Sequence, residues 1–336
     1  MDLPAAELDQ LSGGYAVQVV IGDALPEGTT AVVPHTLGYV DSAPNRQRLQ
    51  LSDGAGRPAA QPGLIGFGRG IRPQGRDAEA GQRLLSAGPV VTPATVALAA
   101  AAGRDDLTVI PPASVCVILP KFGMSRLGPN RPGRQRDVVA ELLPTWIEAG
   151  PARALPPMTV EGDPASIAEA IRDNPADVIV VAGGVDPEVP APVREAVRLL
   201  RAQAQVAGLS IVPGSATAVY SLADRFLITL PGRADAAAVG LALALDPLLA
   251  ALSGRPAQPD GIEALLVGAV PDRPTTSVVP GILERTELVL RVHPRPWSGP
   301  SGMQGLAAAD GLIIAEPGTP VDGLVALLPL PGVLVG

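Results

Sequence analysis

Three short apolar runs constrain this 336-residue chain more than any other feature: Val115 to Leu119, Asp177 to Ala182 and Phe226 to Leu230. Each lacks alternation, is too short for a helix, and suits a strand buried on both faces. The segments between them carry helical signals. Val138, Val139, Leu142, Leu143, Trp146 and Ile147 form one stripe that ends at Gly150, with Pro144 as a kink. Asp163-Pro164 reads as an N-cap and first-turn proline ahead of Ile167 and Ile171. Val193 to Val206 reads as a third helix, Leu209 to Val212 as a further strand, and Ala234 to Leu252 as a closing helix. This alternation implies a parallel sheet with helices on its faces, which takes ligands beyond the carboxyl ends of its strands.

The pattern changes on either side. Upstream, the β-branched runs Val17 to Ile21 and Thr30 to Pro34 predict strands separated by a Leu25-Pro26-Glu27-Gly28 turn. Thr92-Pro93 then opens an alanine-rich helix that Gly103 ends. Downstream of Gly254-Arg255-Pro256, the segments Glu287 to His293, Leu312 to Glu316 and Val325 to Leu330 read as strands of a small all-β domain. The fold class is therefore α/β and multidomain.

Composition removes several classes of function. A net charge of -8 with 2% aromatic residues supplies neither a basic stripe nor a stacking platform, so a nucleic-acid partner is not expected. One cysteine, Cys116, and two histidines, His35 and His293, make neither an internal disulfide nor an ordinary zinc site. Cys116 lies in a buried run and reads as core; neither histidine has an acid or nucleophile placed beside it. Met1 to Gln10 has no basic or apolar leader, and Asp246-Pro247 breaks the longest apolar stretch. These features imply a cytoplasmic protein without a membrane span.

The chemistry-bearing residues cluster after the strands. Three turns contain glycine: Gly183-Gly184-Val185-Asp186, Pro213-Gly214-Ser215-Ala216 and Pro231-Gly232-Arg233-Ala234. Bare backbone in such turns lets several N–H groups face one anion, with a helix N-terminus behind them. Lys121, the chain's one lysine, and Arg233 each follow a strand of the same sheet and can add a charged contact to a phosphate. The competing reading is that glycine closes a tight connection and nothing more. No nucleophile elbow, phosphate-binding loop or dinucleotide fingerprint is present.

In order and spacing, Gly22 to His35, Ile71 to Leu85, Asp163 to Val185, the Leu230-Pro231-Gly232 turn and Ser301 to Ile313 resemble the molybdopterin molybdenumtransferase family. The resemblance runs from about Ser12 to about Leu330. It implies an elongated homodimer and four segments: a linking helical domain at 1–13 and 76–108, a β domain at 14–75, a molybdopterin-binding-like α/β domain at 109–256 and a C-terminal β-barrel at 257–336. Family members bind adenylylated molybdopterin, insert molybdate into its dithiolene and release AMP with the help of a divalent cation. The ligand implied here is accordingly molybdopterin or its adenylylated form, a pterin phosphate.

This chain departs from the family where that chemistry lies. Gly13 stands for an aspartate, Ile21 for a threonine, and Pro120-Lys121-Phe122-Gly123 for a Thr-Gly-Asp-Glu loop. Gly162 replaces the first of two aspartates, Asp186 a serine, Val212 and Ser215 two lysines, and Arg233-Ala234 an Asn-Pro. Asp77 and Asp163 remain as the candidate catalytic carboxylates that the resemblance implies, although Asp77 also reads as the N-cap of a following helix. One carboxylate makes a poor cage for a cation such as Mg²⁺, so no metal ligands are assigned. The sequence thus implies a family member with molybdopterin binding and reduced or lost metal insertion. The alternatives are an active molybdenumtransferase and a non-catalytic structural or interaction protein.

Overall fold

The computed structural model describes residues 9–43, 46–52, 65–129, 132, 135–184, 186–254, 261–287 and 289–333. Contacts divide the chain into two units, Met1–Ser86 and Ala87–Gly336.

In the first unit, β1 (Gly38–Ala43) and β2 (Arg46–Leu51) pair antiparallel, with Gly38 opposite Leu51. The strands expected at Val17 to Ile21 and Thr30 to Pro34 do not form. Ile21 and Val20 are exposed, and β-branched residues make a strand only where a second backbone completes the ladder. Around Val32 the backbone instead makes isolated bonds: Val32 N donates to Arg69 O and Gly68 N to Thr30 O, both at 2.8 Å. One face of this pair carries Val40, Leu49 and Leu51 and the other Tyr39, Asp41, Arg48 and Gln50, an alternation too short to announce two strands. Tyr39 Oη donates to Gln50 Oε1, and Gln50 Nε2 to Asp41 Oδ2, each at 3.1 Å.

The second unit begins with α1 (Pro93–Ala101), capped as the sequence implies. Thr95 N donates to Thr92 Oγ1 at 3.2 Å while Thr92 N donates to Thr95 Oγ1 at 3.3 Å. Then follow β3 (Ser114–Lys121), α2 (Val139–Ala149), β4 (Arg153–Ala154), β5 (Met158–Glu161), α3 (Pro164–Asp173), β6 (Val178–Val181), α4 (Ala191–Leu199), β7 (Gln203–Val206), β8 (Ile211–Val212), β9 (Ala218–Leu222) and β10 (Arg225–Thr229). The sheet runs β4-β3-β6-β10-β9-β7, with β5 also on β3. Its centre is parallel, as expected.

Alternation along these strands feeds two cores. Val115, Val117, Leu119, Val178, Val180 and Ile228 face α2 and the helix after β10; Cys116, Ile118, Ile179, Val181 and Leu227 face α3 and α4. Each fully buried aliphatic side chain contributes about 1.5–3 kcal/mol. Burial also raises the pKa of the Cys116 thiol.

Three expectations need correction. β9 and β7 are antiparallel, so the sheet is mixed. β9 joins β10 through Ala223-Asp224, which lacks the Asn-Gly signature that announces a hairpin, although Ala223 takes φ +54°. The third helix stops at Leu199, not Val206; Gln203–Val206 is an exposed edge strand, where pairing with β9 overrides helix-favouring residues. β8 leaves this sheet and pairs with a strand of the C-terminal barrel.

The closing helix is continuous over Ala234–Leu252: α5 (Ala234–Gly240), a π-helical turn (Leu241–Leu245) and α6 (Asp246–Leu252). By length and composition it is apolar enough to cross a membrane, but 61% of its most apolar 18-residue stretch is buried within the fold. β11 (Ile262–Leu266), β12 (Thr276–Arg285), β13 (Leu290–Pro294), α7 (Met303–Ala307), β14 (Gly311–Ala315) and β15 (Leu324–Pro329) complete the chain. Their order β13-β11-β15-β14-β12 closes through a β12–β13 pairing into a five-stranded barrel. The molecule is therefore multidomain α/β with a parallel-sheet centre and a terminal β-barrel, and the barrel's Val278, Leu306 and Leu312 join one of the sheet's two cores.

Asp246 sits just after the π turn and accepts a bond from Trp146 Nε1 at 3.3 Å. Desolvation pushes its carboxyl up to about 6, so the fold favours the neutral form. Its stabilising contribution is full below the ordinary carboxylate pKa and is lost as pH rises through 6. Asp246→Asn should stabilise this unit at pH 8 by about 1–3 kcal/mol and give no gain at pH 4. Urea unfolding followed by tryptophan fluorescence reads this directly, since Trp146 and Trp297 both lie here; equal gains at both pH values would refute it.

Candidate functional site

The carboxyl ends of β3, β6 and β10 lie side by side. Ile118 stands opposite Val181, and Val181 opposite Thr229, so each strand delivers its following residues to one edge. β5 adds Glu161 opposite Lys121, and the loop after it opens α3.

Two of the three glycine turns touch there. A Cβ built on Gly232 would fall 2.5 Å from the Gly184 carbonyl carbon and 2.7 Å from Gly183 O, so the backbone of one turn rests on the other. Arg233 N donates to Asp186 O at 3.1 Å and ties them together. Gly183, Pro231 and Gly232 are buried, Asp186 is exposed, and Gly184 takes φ +91°. Val185 lies outside the described residues. The third turn reaches the same edge, because it leads into β9 with Ala218 opposite Thr229. Its Pro213-Gly214-Ser215 segment packs on α5: a Cβ on Gly214 would stand 3.2 Å from both Ala236 O and Val239 Cγ1. Ser215 O accepts from Leu209 N at 2.9 Å.

Lys121 and Arg233 have partners already. Lys121 Nζ lies 2.5 Å from Glu161 Oε1. Arg233 Nε donates to Asp235 Oδ1 at 3.0 Å, and Arg233 Nη2 pairs with Asp235 Oδ2. That bonding raises the guanidinium pKa further, so Arg233 stays cationic. Asp163 caps α3: Ala165 N and Ser166 N both donate to its Oδ1 at 3.0 Å. The Ser166 backbone bond, first among several, lowers the Asp163 pKa and keeps it ionised.

Asp77 belongs to the first unit and pairs with Arg72. With Arg69, Ile71 and Arg76 these residues line a depression of about 650 Å³. No helix follows Asp77 directly, so it is not a helix cap; the next helix is α1. Among the described residues, no three His, Cys, Asp or Glu side chains stand close enough to hold a metal ion.

Two residues gain a place here that the sequence does not assign them. Asp235 is 5% exposed at its side chain, sits in the first turn of α5 and holds Arg233. An acid in a first helical turn is favoured by the helix dipole, and that was the available signal. The barrel also reaches this point: a Cβ on Gly302 would stand 3.5 Å from Asp235 Cβ, with Ser301 at φ +54° and Gly302 at φ +76°. The other is Phe122, whose ring lies among Gly162, Gly183 and Gly184.

Known proteins resemble this chain over most of its length. A family model described as MoeA N-terminal region (domain I and II) matches residues 4–103. The chain is 31% identical over 268 residues to molybdopterin molybdenumtransferase 2 of Mycobacterium tuberculosis, covering 76% of this chain and 62% of that protein. It is 27% identical over 321 residues to the molybdopterin molybdenumtransferase of Bacillus subtilis, covering 92% and 71%. In fold it is similar to a molybdopterin biosynthesis moeA protein from Pyrococcus horikoshii, with TM-score 0.66, 22% identity and coverage of 95% of this chain and 74% of that one. The chain thus spans less than two thirds of the M. tuberculosis relative's length.

Gly232→Ala should destabilise the second unit by about 2–4 kcal/mol, since its new methyl meets backbone on the adjoining turn. Gly128→Ala, at φ +84° with nothing within 4 Å, should cost only about 1–2 kcal/mol of backbone strain. Equal costs in urea titrations would show that the two turns do not bear on each other.

Proposed function

The chain is a MoeA-like member of the molybdopterin molybdenumtransferase family, and from that premise we propose that it binds molybdopterin or adenylylated molybdopterin at the carboxyl edge of β3, β6 and β10, with reduced or lost metal insertion. The observation that carries this reading is the convergence of the 183–186 and 231–233 turns on one edge, backbone against backbone. In this reading main-chain N–H groups of Gly183, Gly184 and Gly232 face the ligand's phosphate, with Lys121 and Arg233 beside them, Arg233 still paired with Asp235. Ser215, at the end of the third turn, borders the same edge. Asp163 keeps a carboxylate there, and Asp77 retains its family position in the first unit.

Reduced insertion is supported by the side chains themselves. Holding molybdate and a cation beside a pyrophosphate needs several charged ligands. The residues described here do not fit a divalent cation, because Asp163 is committed to capping and no acidic cluster surrounds it. The alternative of an active molybdenumtransferase draws on the 31% identity to a protein of that name. Molybdate-dependent release of AMP from adenylylated molybdopterin separates them: we expect turnover at least 100-fold below that of the B. subtilis relative, and equal turnover would refute the reading.

A homodimer belongs to the same proposal. α1 is apolar, yet none of its residues is buried, and Val96 and Leu98 are exposed along with Val90 and Val91 just before it. A helix of this kind is covered by another chain or is not stably folded. Sedimentation should show a species of twice the 34.1 kDa chain mass, and Leu98→Glu should shift it toward the single-chain mass. A monomer at micromolar concentration would remove the dimer from the proposal. A cytoplasmic setting is supported by Cys116, a buried free thiol.

A further inference from the structure

The side chain that fills the glycine-lined edge is the chain's own. A Cβ built on Gly162 would stand 3.1 Å from Phe122 Cδ1 and Cε1, and one on Gly183 would stand 3.2 and 3.3 Å from Cδ2 and Cε2. One on Gly184 would stand 4.0 Å from Cδ2 and 3.4 Å from Pro190 Cγ. Opposite edges of the ring therefore rest against bare backbone. A side chain at 162 would also meet Lys121 O at 2.3 Å, and one at 183 would press the ring aside by a few tenths of an ångström, so the ring packs directly against bare backbone on both sides. Its neighbours differ in freedom. Lys121 is held in the β3–β5 ladder and by Glu161, whereas Gly123 takes φ +76° with nothing within 4 Å of its Cβ position.

We infer that Phe122 is a gate at this edge: its ring occupies a notch one six-membered ring wide, and a flat nitrogen heteroaromatic ring carrying phosphate enters when the phenyl swings out. The inference rests on the reading that the edge is a ligand site. The ring is half-buried, so leaving the notch forfeits only part of a phenylalanine's burial. Gating lowers the apparent affinity by the fraction of molecules that are open. Glycine on both sides suits a visiting ring for the same reason that it suits the resident one. The width of the notch also makes Phe122 a determinant of specificity, since it measures the ligand's ring against a phenyl.

Calorimetric titration of the full chain, Phe122→Ala and Phe122→Leu with AMP and with molybdopterin tests this, with thermal melts to verify folding. Removing the ring should tighten binding of at least one probe by about 10- to 100-fold, with Phe122→Leu intermediate, and the probe that gains identifies the ring that enters. Should Phe122→Ala not fold, Phe122→Leu carries the test, with a gain of about 3-fold or more expected from an aliphatic side chain narrower than a ring. Wild-type binding that is unchanged or weakened in the variants overturns the gate while leaving the ligand site standing. Binding of neither probe by any of the three proteins overturns the ligand site and the gate together.

Discussion

Burial of β3, β6 and β10 on both faces is the constraint from which the rest follows. A strand with no wet face must give every second side chain to a different core, and Val115 to Leu119 does so residue by residue. Such a strand can hydrogen-bond only to neighbours that are equally covered, which calls for helices above and below. Parallel pairing then sends all three chains off the same edge. The site is thus a consequence of the core: remove the two-sided burial and nothing brings residue 121, residue 183 and residue 232 together.

That part was legible in the sequence because it is written in uninterrupted apolar runs. The capping of α1 and α3 was legible too, since Thr92-Pro93 and Asp163-Pro164 combine a side-chain acceptor with a proline that gives up no needed N–H. What stayed hidden was decided by partners. Gln203–Val206 has helix-favouring residues and becomes a strand because β9 offers it an edge. Leu209 to Val212 looks like a fourth core strand, yet Ile211–Val212 adds to the barrel. The β1–β2 pair has only Val40, Leu49 and Leu51 on its apolar face, too few to read as strands. The glycine turns were recognised, but a sequence cannot distinguish glycine that leaves room for a ligand from glycine that admits another turn or a phenyl ring; only the distances around Gly183 and Gly232 do.

The barrel shows how packing away from the sheet edge shapes the site there. Val278, Leu306 and Leu312 share the core that lies beneath α2 and α5. Trp297 Nε1 donates to Val278 O at 2.9 Å and anchors the segment that leads to Gly302. That segment lands on Asp235 at the start of α5. Asp235 in turn holds Arg233, so the position of a guanidinium at the sheet edge depends on how the barrel packs onto the sheet's core. A buried acid with a bidentate partner is costly to leave unpaired, and this fixes Arg233 more firmly than a surface ion pair such as Arg72–Asp77 fixes its members.

Charge at the edge then leads to a conclusion about which groups can attract an anion. Lys121 and Arg233 are matched by Glu161 and Asp235, and Asp163 and Asp186 add two further acids. Side chains alone thus leave this edge with more negative than positive charge, in a protein of net charge -8. Attraction for a phosphate must come from elsewhere, and the available sources are main-chain N–H groups and the N-termini of α3 and α5, one of which Asp163 already caps. Backbone donors keep their orientation only while the turns that carry them are rigid. The contact of Gly232 with Gly183 and Gly184 supplies that rigidity, which is why a steric requirement between two turns governs the electrostatics of the whole edge.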